Sequence, residues 1–222
     1  MNLCAKYPNA FVYVLSVPGY AEWMGASPEL LLKSDKHSVS TVSLAGSQAA
    51  FDNNSTYFWG EKELEEQAIV TRFITQKLSN CGLEQISQNV PYTHTAGHIA
   101  HLKTDISAIK PHTVSLQTIL SALHPTPAVC GLPKEEAMLF IKQYENLQRS
   151  YYSGFLGLFK DESSESYVNI RCMMRSQNTL TLFAGCGVLA DSDPEKEWLE
   201  SEMKLQTMNS LLTSLFNQSK NG

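Results

Sequence analysis

Basic residues are scarce in this sequence and nowhere clustered: 17 Lys and Arg stand against 22 Asp and Glu, a formal net charge of −5. A nucleic-acid surface needs clustered cations, so that class of partner is disfavoured. Long apolar runs are also missing, and none approaches the roughly 20 residues of a membrane-spanning helix. The five cysteines, at 4, 81, 130, 172 and 186, are odd in number and form no Cys-x-x-Cys. Neither a disulfide framework nor a zinc site is indicated, and a reducing compartment fits best. Met1 is followed by Asn2-Leu3-Cys4-Ala5-Lys6, which has neither the charged nor the apolar part of a secretory signal. No internal repeat or linker is visible. A soluble, cytoplasmic chain is expected.

What is present suits one sizeable core: 222 residues, 43% hydrophobic and 18% charged. Residues 10–15 read as a strand, Pro18-Gly19 as a turn, and a second apolar stretch ends at Met24-Gly25. Leu30-Leu31-Leu32 is a third strand and 39–44 a fourth, with a turn at 35–38. Residues 47–60 read as a polar surface loop and 61–78 as a helix. The region 81–112 is expected to hold one or two strands, including Ile99-Ala100-His101-Leu102. Helices follow at 114–123 and 134–144, then strands at 155–159, 167–171 and 180–184. Asp193-Pro194 opens a long helix to about 216, with Asp193 as N-cap, and 217–222 look frayed. The pattern is α+β, with successive antiparallel strands in one domain.

The acids carry the functional signal. At about 100° per residue, Glu197, Glu200, Lys204, Met208, Leu211 and Leu215 share one stripe of the last helix. The lower part of that stripe is apolar and must face the core, so the charged part points the same way. In the helix at 61–78, Glu63 and Glu66 lie on the side that continues as Val70, Phe73 and Ile74. Inward carboxylates are costly without a partner cation. A hard divalent ion bound through oxygens, Mg²⁺ above all, is one solution, buried salt bridges are another, and a solvated acidic face is the commoner meaning of such spacing. Leu44-Ala45-Gly46-Ser47 and Ala184-Gly185-Cys186-Gly187 either let a ligand approach the backbone or are simple bulges. Arg171 either grips a carboxylate or forms a structural ion pair.

Read in order, several segments fall into a known pattern. They are Gly25-Ala26-Ser27-Pro28-Glu29 with its Leu-Leu-Leu tail, Leu44-Ala45-Gly46-Ser47, the helix start from Glu63, and His101-Leu102. Leu123-His124-Pro125-Thr126-Pro127-Ala128-Val129, Tyr152-Ser153-Gly154, Ile170-Arg171-Cys172 and Phe183-Ala184-Gly185-Cys186-Gly187-Val188 follow. Ser192-Asp193-Pro194-Glu195 then leads into Glu197-Trp198-Leu199-Glu200 and Lys204. The chain thereby resembles the chorismate-utilising enzymes: isochorismate synthase, salicylate synthase, and the large subunits of anthranilate and aminodeoxychorismate synthases. Ala45 stands where the aminodeoxychorismate enzymes resembling this chain carry a nucleophilic Lys. The segment 124–128 looks like that of isochorismate synthases, with salicylate synthase the alternative.

The resemblance implies antiparallel sheets packed as a sandwich with helices outside. It implies that residues 1–222 form the carboxy-terminal portion of a single catalytic domain whose amino-terminal part is missing. Glu66 and Glu200 would hold Mg²⁺, and Glu63 and Glu197 would support it. Arg171, Tyr152, Lys204 and the backbone at Gly46 and Gly185 would bind the carboxylates of chorismate, with His101 and Ala128 completing the substrate contacts. For His101 an ordinary core histidine is the competing reading. Glu29 would be the general acid, protonating the departing C4 hydroxyl while water attacks C2.

The activity implied is isochorismate synthesis, serving menaquinone or siderophore formation. The family's general-base Lys would lie upstream, and none of Lys6, Lys33 or Lys36 sits in a matching context. The chain is therefore expected to be poorly active as it stands, and to expose strand edges and apolar surface. A non-catalytic chorismate-binding remnant, and an α+β domain with salt-bridged acids and no ligand, are the readings from other classes.

Overall fold

The computed structural model describes residues 3–50 and 56–219, with side chains as far as Leu212. After one helical turn, α1 (Leu3–Lys6), strands β1 (Phe11–Val17) and β2 (Ala21–Ser27) form an antiparallel hairpin. A second hairpin joins β3 (Leu30–Ser34) to β4 (Ser38–Ala49). Asp35 closes its turn, with Oδ1 accepting the backbone N–H groups of His37 and Ser38 at 2.8 and 2.7 Å. Helix α2 (Glu61–Asn80) is followed by β5 (Glu84–Gln88), β6 (Tyr92–Ala96) and β7 (Ile99–Ile109). Helices α3 (Leu116–Leu123) and α4 (Lys134–Tyr144) lead into β8 (Phe155–Phe159), β9 (Ser164–Val168), β10 (Cys172–Ser176) and β11 (Thr179–Phe183). Helix α5 (Pro194–Ser219) closes the chain, capped as expected by Asp193, whose Oδ1 accepts from Glu195 N and Lys196 N at 2.9 and 3.1 Å.

The strands form two antiparallel sheets. One has the order β1-β2-β10-β11; the other runs β5-β7-β4-β3-β9-β8, with β6 also paired to β7. Helices α2 and α3 cover one face of the larger sheet. Val70, Phe73, Ile74 and Leu78 of α2 and Ile119, Leu120 and Leu123 of α3 pack on Leu31, Val39, Ile106 and Ala108. A separate apolar cluster of Leu3, Tyr7, Ala26, Met173, Met208 and Leu211 seats α5 on the smaller sheet. The apolar end of the α5 stripe thus does face the core.

Two crossovers join the sheets side by side. The chain passes from β2 in the small sheet to β3 in the large one through Pro28-Glu29, and returns from β9 to β10 through 169–171. Because β2 pairs with β10 and β3 with β9, the crossovers lie next to each other. Backbone bonds stitch them: Val168 N donates to Glu29 O at 3.0 Å and Ala26 N donates to Arg171 O at 3.1 Å. Ser27 Oγ donates to Val168 O at 2.5 Å. Glu29 and Arg171 therefore occupy a buried seam between the sheets.

That seam corrects one sequence expectation. Residues 167–171 are not one strand: β9 ends at Val168, β10 starts at Cys172, and the two belong to different sheets. Arg171 has φ of 51°, which interrupts the extended backbone. The apolar run across 167–173 conceals the break, because hydrophobicity does not report φ. Likewise 81–112 holds three strands rather than one or two, since the polar segments β5 and β6 each pair with part of the 11-residue β7. The loop expected at 47–60 starts later, because β4 runs on to Ala49; residues 51–55 lie outside those described. Helix α5 continues to Ser219, so fraying does not begin at 217, and 220–222 lie outside those described.

Apolar surface is left open at several places. Helix α4 has no buried residue and exposes Leu139 and Phe140, while the edge strand β8 exposes Leu158 and Phe159. Among the described residues no disulfide forms, and no helix is long and apolar enough to cross a membrane.

The core assignment is testable on α2. Leu78 is fully buried and Leu64 is 48% exposed. Leu78→Ala is expected to lower the unfolding free energy by about 2–5 kcal/mol in urea denaturation, and Leu64→Ala by under about 0.5 kcal/mol.

Candidate active site

Arg171 is the centre of the seam. Its side chain is 6% exposed, and among the described residues no carboxylate lies within ion-pairing distance of its guanidinium. Its recorded hydrogen bond runs instead to His101, from NH2 to Nε2 at 3.1 Å. Arginine only donates, so Nε2 must carry the lone pair. The other ring nitrogen, Nδ1, lies 3.0 Å from Gly46 O, which only accepts, and 3.1 Å from Ser47 Oγ. The imidazole is thus neutral with its proton on Nδ1. Burial together with the charge of Arg171 holds its pKa well below the ordinary value. Burial likewise draws the Arg171 pKa down to about 10, against the opposing pull of Glu200, Tyr7, Tyr152 and Glu29. Arg171 remains a cation at neutral pH. The structure uses His101 to aim the arginine, a role closer to positioning than to an ordinary core histidine.

Glu29 stands at the other crossover, 4% exposed. Thr126 Oγ1 donates to its Oε1 across 3.4 Å. Burial raises its pKa from 4.5 to about 7, with Thr126, Lys204 and Arg171 pulling the other way. A carboxyl poised there can hold a proton at neutral pH and release it.

The remaining substrate candidates come from β4, the 126–152 segment, the 185–187 loop and α5. Tyr152 is buried, stacks on Phe183 with ring centroids 5.2 Å apart, and has its phenol pushed up to about 12 by burial. A Cβ added at Gly185 would come 3.0 Å from the Tyr152 hydroxyl, so glycine leaves that space open. Lys204 Nζ donates to Gly185 O at 3.0 Å and to Glu200 Oε1 at 2.5 Å. Gly46 occupies a bulge in β4 with φ of 67°, and a Cβ there would meet Glu63 Cβ at 3.0 Å. Ala128 packs partly against the larger core. In the same segment it is Thr126 that reaches the acid.

The acids approach from two helices. Glu66 lies against the 185–187 loop, where a Cβ on Gly187 would be 3.6 Å from its Oε1. Burial raises the Glu66 pKa, Lys62 opposes that, and Glu200 and Glu197 on α5 raise it further, so three carboxylates share one field. Glu63 is placed differently: its Oε2 accepts the Gly60 N–H at 2.9 Å and caps α2. Lys62 reaches from α2 to α5, bonded to Glu197 Oε1 and 3.6 Å from Glu66 Oε1. Glu197 is 6% exposed, and its Oε2 is buried without a hydrogen-bond partner.

Carboxylates, one of them with an orphaned buried oxygen, are the donor type that suits a hard divalent cation. As they stand, the described His, Cys, Asp and Glu residues form no group of three around a metal position, and the ammonium groups of Lys62 and Lys204 pair with the acids.

Comparison with known proteins identifies the family. Residues 1–213 match the family described as chorismate binding enzyme. The chain belongs to the chorismate-binding enzyme family. It is 31% identical over 215 residues to the isochorismate synthase EntC of Escherichia coli strain K12, covering 93% of this chain and 55% of that protein. It is also 31% identical over 212 residues to the isochorismate synthase MenF of Bacillus subtilis strain 168, covering 92% of this chain and 45% of that one. The solved structure of DhbC from Bacillus anthracis superposes with a TM-score of 0.88 at 32% identity, over 95% of this chain and 60% of the other. The chain spans about half the length of these relatives.

Two members of this residue cluster escaped sequence reasoning. Thr126 was inside a recognised segment, but nothing in that segment marked which residue would meet Glu29. Lys62 is visible only as an i,i+4 partner of Glu66; its bond to Glu197 spans 135 positions.

The Glu29 environment sets a pH dependence of stability. Between about pH 4.5 and 7 the folded chain keeps a proton that the unfolded chain has lost, so stability falls as pH rises through that window and levels off above it. The span corresponds to about 3 kcal/mol. Glu29→Gln removes the charge, so at pH 8 the variant is expected to exceed the wild type by up to about 3 kcal/mol in urea denaturation. The gap should shrink to under about 1 kcal/mol at pH 5. A difference that does not change with pH contradicts the assignment.

Proposed function

We propose that this chain binds chorismate with Mg²⁺ and carries the acid side of an isochorismate synthase site. The observation behind this reading is the buried guanidinium of Arg171, held by a neutral histidine, with no carboxylate within ion-pairing distance among the described residues. A sealed cation without a partner is costly unless an anion arrives to meet it. A substrate carboxylate, gripped bidentately, answers that need.

In this reading Arg171 and Lys204 receive carboxylates of chorismate, Tyr152 and the backbone at Gly46 and Gly185 shape their seat, and His101 keeps Arg171 in position. Ala128 would complete the substrate contacts. Glu29, protonated near neutrality, gives its proton to the C4 hydroxyl as the C4–O bond breaks and water leaves. A second water forms the new C2–O bond and passes its proton to a base. Glu66 and Glu200 would hold Mg²⁺, Glu197 would support it through its unpartnered oxygen, and Glu63 would contribute from the capped helix end. When bound, the ion neutralises carboxylate charge that would otherwise be repelled.

No lysine from the amino-terminal part of the chain serves as that base. Lys6 Nζ donates to Ser210 Oγ at 2.6 Å, Lys36 pairs with Glu162, and Lys33 is exposed. Among the lysines, Lys204 is the one whose charge acts on Glu29. This supports a second reading, in which the chain retains chorismate binding without efficient turnover. Isochorismate is favoured over salicylate as product because the similar proteins described above include isochorismate synthases. Menaquinone or siderophore formation would consume it.

Calorimetric titration and product chromatography separate these readings. Chorismate is expected to bind in the presence of Mg²⁺, and Arg171→Ala to weaken binding by about 30-fold or more. Glu29→Gln is expected to leave affinity within about threefold while any measurable isochorismate formation falls at least about 100-fold. Binding without turnover in the wild type selects the second reading. Absence of heat with chorismate and Mg²⁺ in either order of addition overturns both.

A further inference from the structure

Lys62 holds the place where a metal ion would be expected. It stands in the first turn of α2, and its ammonium crosses to α5 to bond Glu197 Oε1 while remaining 3.6 Å from Glu66 Oε1. The two acids come from different helices, so this one cation ties α2 to α5. Glu200 acts on the same ammonium from the next turn of α5. The pairing is incomplete, because Glu197 Oε2 stays buried with no hydrogen-bond partner. Three carboxylates thus face an ammonium that leaves one of their buried oxygens unmet.

We propose that Lys62 is a resident countercharge that occupies the acidic cluster in the metal-free protein and is displaced when a divalent cation enters. The inference rests on the metal reading of Glu66, Glu197 and Glu200. A divalent ion brings twice the charge and bonds carboxylate oxygens at about 2.0–2.6 Å, far closer than an ammonium does. The two cations repel each other strongly at such range, so they do not share the cluster. Lysine suits the role, being a compact charge on a flexible four-carbon stem. Its side chain is 25% exposed, which leaves a path to solvent. Lys62 therefore keeps α2 and α5 in register without metal, and weakens metal binding by competing for the same oxygens.

Two experiments on the full chain test this. Lys62→Met keeps the length of the side chain and removes its charge. Titrated with Mg²⁺ in the calorimeter, the variant is expected to bind at least about tenfold more tightly than the wild type. Its melting temperature should be lower without metal and rise more on Mg²⁺ addition. Unchanged or weaker affinity, with the same loss of melting temperature in both conditions, identifies an ordinary structural ion pair and overturns the proposal. The second experiment needs no variant: wild-type protein is labelled with an amine-acylating reagent and the Lys62 peptide quantified by mass spectrometry. Labelling of Lys62 is expected to increase at least about threefold with Mg²⁺ as its ammonium is released. Labelling that stays constant while Mg²⁺ binds also overturns it. If neither protein shows heat or a melting shift with Mg²⁺, the metal reading fails and the displacement proposal fails with it.

Discussion

A guanidinium sealed from water, with no carboxylate in ion-pairing distance among the described residues, is the constraint around which the rest of this molecule is arranged. Arg171 could have been neutralised by a neighbouring acid, as most buried arginines are. Here it is held by the lone pair of a neutral histidine, and the histidine is held by a backbone carbonyl at a glycine bulge. Each link fixes the next without cancelling the charge. The cost of that charge falls on the folded chain, and in the proposed reading the same cost would become binding energy when an anion arrives. Stability and function are therefore opposed at this point of the fold.

The seam between the sheets makes the opposition tolerable. Two crossovers run side by side, and the backbone bonds between them leave little freedom at Glu29 or Arg171. Rigid placement on strand ends is what a proton donor and a carboxylate anchor both need. Their environments nevertheless push them apart: burial protonates the acid near neutrality and leaves the arginine charged. Along the approach, Glu66, Glu197 and Glu200 make a second concentration of charge, opposite in sign and balanced by Lys62 and Lys204. The candidate site is thus bipolar, with a buried cation that has no direct ion pair among the described residues and an acidic cluster paired with lysines. A dianionic ligand entering with a divalent cation would satisfy both.

The open surfaces match the length comparison. Helix α4 buries nothing, and β8 ends the larger sheet with apolar side chains turned outward. The chain covers 55% and 45% of the length of the two curated relatives. Apolar area of this kind lowers solubility and invites association.

Much was legible in the sequence because it depends on local chemistry or on periodicity. The helices at 61–80, 116–123, 134–144 and 194–219 were expected near these bounds, and the stripe raised an inward turn of Glu66, Glu197 and Glu200 beside the alternative of a solvated face. Glu29 and Arg171 were recognisable through the ordered segments shared with chorismate-utilising enzymes. What the one-dimensional pattern could not carry was the break at 169–171, since a positive φ leaves no mark in hydrophobicity. Nor could it carry the tautomer of His101, the contact of Thr126 with Glu29, or the reach of Lys62 across to α5. Those depend on which strands end beside one another and on how far water is excluded there. Burial and juxtaposition exist only once the sheets have closed, and so the charges that matter most in this protein were assigned by the tertiary structure.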